Sequence, residues 1–377
     1  MKDTIKWSHS KLATILSCPM SYYLNYIQGI QPKKTKPAFE IGSAVHWGIE
    51  HNTYDLREYY IEEEALGEEF TQEQLLAQAM DYFYLSFKDS IYGMILCDNK
   101  TGERYNLLEE KHEGFMNAKL DSYIDELEPH NFLGIVDLLF RTDKGFIIID
   151  FKTSSAEPDW STYLEQLYRY IYLVKSRYPD VPILKIGIVN IRKAQIYKRK
   201  DTPSQDYFNI LCEEYFKHPE QYLDYHEFPT ETINEKFMEE YIKNLSRMVD
   251  TAYTIDKNAA WYINFAEAEG KYGKSDYYDI FYKTKNAYKK YKIKDKVWSE
   301  EKQALVKFRE CIPLDMEVID NRKIVNHYND YVKLEKEHPD NFIEWIKENY
   351  IIDDSLIRLY ELTKLKIKEK KLEEERI

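Results

Sequence analysis

GIVDLLFRTDKGFIIIDFKT, residues 134–153, is the stretch on which the fold turns. Two apolar runs of strand length, FLGIVDLLFR (132–141) and GFIIIDFKT (145–153), flank the short turn TDKG, and the second is dense in β-branched residues. Such runs joined by a short Gly-containing turn read as a hairpin. An acid interrupts each run, Asp137 in the first and Asp150 in the second, directly after Ile147, Ile148 and Ile149. A carboxylate placed there is costly to desolvate unless it is paired, hydrogen-bonded or bound to a cation.

The turn at 142–145 brings Asp137 and Asp150 roughly level on adjacent strands. Alternation puts Lys152 on the same face as Asp150. Two acids and a lysine thus converge on one patch. Hard oxygen ligands suit Mg²⁺ or Mn²⁺, which bind phosphate oxygens while keeping several waters. The lysine can then orient or deprotonate a water for attack on phosphorus, while the metal offsets the developing charge. The spacing D-x12-D-x-K by itself is equally compatible with an Asp–Lys ion pair that ties two strands together.

Downstream, residues 159–177 have helical spacing, ILKIGIVNI (183–191) reads as a strand buried on both faces, 205–217 as helix, 221–228 as strand and 231–253 as helix. Upstream, residues 8–28 form an amphipathic helix capped by Ser8 or Ser10 and divided by Pro19. A basic loop with Lys33, Lys34 and Lys36 leads to a second helix opening near Ile41, with Gly42, Ser43 and Ala44 on its first turn. Residues 58–90 look helical, and the run Glu62, Glu63, Glu64 reads as a solvated face. From about residue 283 the chain is Lys-rich and reads as helical to its end. The expected organisation is a first domain over 1–283, with a helical insertion over about 52–128, followed by a helical extension over 284–377.

The chain has 377 residues, enough for two or three domains, and 44% of them are hydrophobic, which is the composition of a globular protein. Cys18, Cys97, Cys212 and Cys311 are far apart and form no CxxC pair, which argues against a disulfide scaffold and against a zinc ribbon. The opening MKDTIKWSHSKL lacks the apolar core of a signal peptide, and no run approaches about 18 apolar residues. No membrane association is expected, and the cytoplasm of a bacterial or phage-infected cell is the default compartment. Usage heavy in Lys, Ile and Tyr suits an AT-rich bacterial or phage genome.

The balance of 53 basic against 66 acidic residues gives a net charge of −13, yet nucleic-acid binding follows local patches rather than the sum. RKAQIYKRK (192–200) carries five basic residues, Arg192, Lys193, Lys198, Arg199 and Lys200, and no acid. KTKNAYKKYKIKDK (283–296) carries seven lysines, Lys289 and Lys290 among them, interleaved with Tyr288 and Tyr291. Basic side chains neutralise phosphates and tyrosine rings stack on unpaired bases, although a solvated lysine face reads the same way.

Four blocks in order resemble the RecB-like branch of the PD-(D/E)XK nuclease superfamily, the branch of the AddB nuclease domain, CRISPR-associated exonucleases and many phage exonucleases. They are SHSKLATILSCPMSYYLNYI (8–27), IGSAVHWGIE (41–50), GIVDLLFRTDKGFIIIDFKT (134–153) and QLYRY (166–170). The resemblance implies an α/β fold with a mixed central sheet flanked by helices and further helices inserted. It makes His46 a metal ligand beside Asp137, Asp150 and the Phe151 carbonyl, and Lys152 the catalytic lysine. Gln166 and Tyr170, four apart on one helix face, would face the site and hold the lysine, the water or a DNA phosphate. Glu50, one turn beyond His46, and Thr153 are weaker candidates.

Cluster-bearing relatives in that branch hold a [4Fe–4S] centre with four cysteines. Cys18 stands at the early position, but Ile263 and Ala266 occupy places where later cysteines belong in AAWYINFAEAEGKYGKSDYYDIF (259–281). No cluster is expected; apolar packing takes over its role. The implied activity is a divalent-metal-dependent DNA exonuclease acting on single strands or ends, in recombination, repair or phage DNA processing. The alternatives are a catalytically silent DNA- or protein-binding scaffold or inhibitor, and a nuclease subunit that depends on a helicase or recombination partner. No GxxxxGK[ST] loop occurs, so any motor would be a separate chain. The tail beyond residue 284, with Leu356 and Tyr360, is a candidate docking surface, and a homo-oligomer is equally open.

Overall fold

The computed structural model describes residues 6–32, 37–63, 65–230, 233–269 and 274–284, and beyond them 287–293, 296–299, 304–307, 317–318, 335–336, 342–351 and 364. The chain forms two compact units, one of residues 1–16 with 35–259, the other of 17–34 with 260–377.

In chain order the elements are strand β1 (Lys6–Ser8), helices α1 (His9–Ser17) and α2 (Pro19–Tyr22), β2 (Ile30–Pro32), and helices α3 (Pro37–Glu50), α4 (Arg57–Glu62) and α5 (Gln72–Ile95). Then come β3 (Leu107–Leu120), β4 (His130–Thr142), β5 (Phe146–Ser154), a 3-10 turn at Trp160–Tyr163, α6 (Leu164–Arg177) and β6 (Ile183–Arg192). The helices α7 (Ser204–Lys217) and α8 (Pro219–Tyr222), strand β7 (Leu223–Phe228) and helix α9 (Glu235–Lys257) complete the first unit. Pro19 does divide the leading helix: α1 ends at Ser17, and α2 opens with Pro19 as its first residue, where a missing N–H costs nothing.

The central sheet has six strands and is mixed. Strand β4 pairs antiparallel with β5, β5 parallel with β6 through the α6 crossover, and β6 antiparallel with β7. Along one edge β4 is covered by β3 from His130 to Thr142. Its other edge is shared, by β1 opposite Asn131–Leu133 and by β5 opposite Leu138–Arg141. Residues 134–137 of β4 therefore lie in a fork between two strands, and Asp137 stands where β5 leaves. Gly134 lets Leu173 of α6 pack close to the strand there; a Cβ would lie 2.4 Å from Leu173 Cδ1 and force that side chain to shift.

One face of the sheet, with Leu138, Phe140, Ile147, Ile149, Phe151, Val189 and Ile191, builds the main core with α3, α5 and α7. The long helix α5 starts on a capping box between Thr71 and Gln74. Glu62 and Glu63 are exposed, the solvated face that their run foretold. Among the described residues no helix is long and apolar enough to cross a membrane.

Two expectations change. Residues 107–120, read as part of a helical insertion, form a long strand; its first four residues are exposed and charged side chains fill LLEEKHEGFMNAKL, so neither apolar run nor clean alternation marks it. The segment after 283 contains strands at Tyr291–Ile293, Lys296–Ser299 and Ala304–Lys307 as well as a helix at Phe342–Asn349. Leu356, Tyr360 and Cys311 lie outside the described residues.

In the second unit, Cys18 is buried in an apolar cluster with Leu24, Ile30, Ala268, Tyr277 and Phe281, and Ile263 packs against it. Its thiol accepts from the Asn264 N–H at 3.5 Å, while Ala266 is exposed.

Candidate active site

The hairpin register Leu138–Ile149, carried one step further, sets Asp137 opposite Asp150. On the other edge of β4, the pairs His112–Leu138 and Gly114–Val136 bracket Glu113 opposite Asp137. Three carboxylates thus lie in a row across β3, β4 and β5. Glu113 has φ 44°, in the left-handed region that a side chain with a Cβ adopts only where its surroundings impose it. His46 reaches the row from α3, its Nδ1 3.6 Å from Asp137 Oδ2. Ligating atoms of His46, Glu113 and Asp137 lie within 4.8 Å of one another.

Beside this row stands the lysine. Lys152 Nζ is 2.5 Å from Asp150 Oδ2 and donates to Gln166 Oε1 at 3.2 Å. Gln166 Nε2 donates to Asp150 Oδ1 at 2.9 Å and to the Tyr170 hydroxyl at 2.6 Å. The backbone N–H of Phe151 donates to Asp137 Oδ2 at 2.9 Å, and its carbonyl side faces the His46 ring through a backbone hydrogen bond. The ring of Tyr163 lies 5.4 Å from Lys152 Nζ.

The charges explain each other. Burial, and then the neighbouring Asp137, push the Asp150 carboxyl up to about 7. Glu113 is likewise pushed up to about 7, by burial and then by Asp137, Glu50 and Asp150. Asp137 is raised by burial, against which Lys152 and the Phe151 N–H work. Burial draws Lys152 down, but Asp150 and Asp137 outweigh it, so its ammonium is held charged. Burial and Lys152 lower His46, leaving a neutral imidazole with a lone pair to give. Crowded carboxylates with raised proton affinity and a neutral histidine form a cradle short of positive charge. Its donors, carboxylate oxygen with imidazole nitrogen, fit Mg²⁺- or Mn²⁺-like ions.

The sequence-derived residues His46, Asp137, Asp150, Phe151, Lys152, Gln166 and Tyr170 all meet at this patch. Thr153 does not; its Oγ1 turns to α3 on the other face, 3.2 Å from where a Cβ of Gly42 would sit. Glu50 acts on the site only through its charge on Glu113.

The basic stretches divide. Arg192 is held by Asp224 through Nε at 2.9 Å and Nη2 at 2.7 Å, Lys193 is buried, and Lys198 Nζ donates to Ser204 Oγ at 3.1 Å. Arg199 and Lys200 are exposed on a turn. Lys290 pairs with Asp279 at 2.7 Å, and the side chain of Lys289 lies outside the described residues.

Two residues escaped the sequence reading. Glu113 sits in a strand without a strand-like pattern, and only the register of β3 on β4 sets it opposite Asp137. His9 accepts from Arg169 Nη1 through Nδ1 at 2.6 Å, and burial, Arg169 and Lys152 push it down to about 4. It is a neutral imidazole with its proton on Nε2, inside the block 8–27 but without a motif of its own.

Residues 6–258 match the family model of the PD-(D/E)XK nuclease superfamily. The chain belongs to that superfamily, whose members are nucleases that use divalent metals. Two solved structures match the chain: a candidate exonuclease from Eubacterium rectale, at 12% identity over 66% of this chain and 81% of that one with a TM-score of 0.40, and SSO0001, at 16% over 55% and 82% with a TM-score of 0.20. At those scores the family match carries the assignment. No curated protein matches the chain.

Proposed function

We propose that this protein is a divalent-metal-dependent DNA exonuclease of the RecB-like branch, acting on single strands or ends. The observation that carries the reading is the surplus of carboxylates: Glu113, Asp137 and Asp150 in one row against a single ammonium, with neutral His46 beside them. An ion pair that merely tied two strands would need no second and third acid.

His46, Asp137, Asp150, Glu113 and the Phe151 carbonyl would hold the cation, which supplies charge stabilisation and an activated water at neutral pH. Lys152 keeps its proton, so it orients a water or a phosphate oxygen and offsets charge rather than acting as a base. Gln166 fixes Lys152 and Asp150 together, and Tyr170 fixes Gln166. The buried Cys18 cluster with Ile263 supports a second unit packed by apolar side chains without iron, and stoichiometric iron in anaerobically purified protein would overturn that part.

The test is digestion of 5′- and 3′-labelled single- and double-stranded DNA and of RNA with Mg²⁺ or Mn²⁺. The expected outcome is nucleotide release from single-stranded or frayed ends, abolished by EDTA. Inertness across the panel would favour the silent scaffold or the partner-dependent subunit, and recovery on adding a helicase would separate those two.

A further inference from the structure

Next to Lys152 lies a buried group that the site has not yet used. Asn190, in the middle of β6, is fully buried, and among the described residues neither its Nδ2 nor its Oδ1 has a hydrogen-bond partner. A buried amide left unpaired is costly and rare in native folds. The register places Asn190 beside Lys152 of β5 on one side and Asp224 of β7 on the other, and paired positions share a face of the sheet. Asp224 holds Arg192 through Oδ2. On its other side Asn190 has Lys152, one strand spacing of about 4.8 Å away. Ser154 Oγ, two residues beyond Lys152 on the same face, is a further buried atom without a hydrogen-bond partner among the described residues.

An ammonium has three protons to place. Here Lys152 donates to Gln166 Oε1 and is ion-paired with Asp150 Oδ2. The carboxylate that Lys152 engages is the one a divalent cation would also need, so the two compete for Asp150. Unless another acceptor receives Nζ, breaking that ion pair leaves a desolvated ammonium held by the Gln166 amide oxygen in place of a carboxylate.

We propose that Asn190 is a positioning residue for Lys152: its Oδ1 accepts a hydrogen bond from Nζ when Asp150 is given over to a divalent cation. The ammonium then stays beside the site instead of following Asp150. The contacts with Asp150 and with Asn190 are then two alternative positions of one lysine. The catalytic meaning rests on the nuclease reading above; the exchange of partners does not. The competing explanation is a structural water between Asn190 and Ser154.

Asn190→Leu and Asn190→Asp, made in the full-length chain, test this by thermal unfolding of metal-free protein, Mn²⁺ titration calorimetry and single-strand hydrolysis. For Asn190→Leu the expected results are a Tm raised by about 2–4 °C, because the orphaned amide is gone, and a Mn²⁺ Kd raised roughly fivefold. Its kcat should fall roughly tenfold with KM within about twofold, because a lysine without its second acceptor no longer stays beside the charge that develops in the transition state. Asn190→Asp keeps the acceptor and draws Lys152 off Asp150, so Mn²⁺ should bind at least as tightly as in the wild type. A lower Tm in Asn190→Leu would establish the structural water, and an unchanged Mn²⁺ Kd would overturn the exchange outright. If the wild type cleaves nothing while the two variants shift Mn²⁺ binding in opposite directions, the nuclease reading fails and the exchange stands.

Discussion

Lys152 and Lys185 lie on neighbouring strands of one sheet and on its opposite faces, and each is ion-paired to a carboxylate. Lys185, 3% exposed, donates to Glu227 Oε2 at 2.8 Å and to the Cys97 carbonyl at 2.5 Å. Glu227 also accepts from Asn99 Nδ2 at 2.9 Å and from the Tyr225 hydroxyl at 3.2 Å. One acid there is met by several donors. At Lys152 the proportion is inverted: Glu113, Asp137 and Asp150 crowd around one ammonium, and two of the three are pushed up to about 7. The first arrangement is complete as it stands and ties β6 and β7 to the Cys97 loop. The second is short of positive charge, which is the electrostatic condition for binding a cation. Two Asp/Glu–Lys contacts of similar length therefore differ in kind, and the count of neighbouring charges separates them.

The sharpest way to break the comparison is to remove each lysine. Lys152→Ala and Asp150→Ala should each lower hydrolysis by about a thousandfold or more, on the scale of lost transition-state charge stabilisation, with DNA still bound in a gel-shift or anisotropy assay. Lys185→Met should leave kcat within about twofold and instead destabilise the fold by about 2–4 kcal/mol in urea denaturation, since it strands half-buried Glu227. Wild-type cleavage by Lys152→Ala would reduce both lysines to ties.

Metal affinity gives the next largest effect. Glu113→Gln should weaken Mn²⁺ binding roughly tenfold in calorimetry, and His46→Ala by at least as much, as expected for groups that ligate or directly support an ion. Because the cation displaces protons from both Asp150 and Glu113, each pushed up to about 7, Mn²⁺ should bind up to about a hundredfold more tightly at pH 8 than at pH 6.

The same two groups set a pH dependence of stability with a definite sign. Their folded-state proton affinities exceed those of an unfolded carboxylate, so the folded metal-free protein binds more protons between about pH 4 and pH 7. Its stability should accordingly fall as pH rises through that window, and saturating Mn²⁺ should reverse the trend. Asp150→Asn, shape-conserving and uncharged, should flatten the Tm-against-pH profile of the metal-free protein; an unchanged profile would place the titrating groups elsewhere. The smallest effect belongs to the exposed basic turn: Arg199→Ala with Lys200→Ala should weaken DNA binding only a few-fold and make its salt dependence shallower.

The site hairpin was legible because apolar, β-branched runs with an acid set into each are strong signals, and period-two alternation fixes which residues share a face. His46, Gln166 and Tyr170 could be named because their blocks follow one another in a familiar order. Glu113 could not, since β3 is charged along much of its length and its partner across the strand is set by register. Lys185 lay inside ILKIGIVNI, a stretch that reads as wholly buried, and nothing local announces that Glu227 and a Cys97 carbonyl wait for it. Among the basic residues, Arg192 and Lys193 looked like surface charges; one is neutralised by Asp224 and the other is buried.

By itself the sequence determined the hairpin, the two acids and the lysine at its heart, and the helices that carry their supports, because these depend on periodicity and local spacing. Tertiary structure decided how many charges gather around each lysine. It set Glu113 opposite Asp137 and Asn190 beside Lys152, and it met Lys185 with acceptors from two other segments, the Cys97 carbonyl and Glu227. Those outcomes depend on strand order and register, which bring together residues whose mutual electrostatics no single stretch of chain contains.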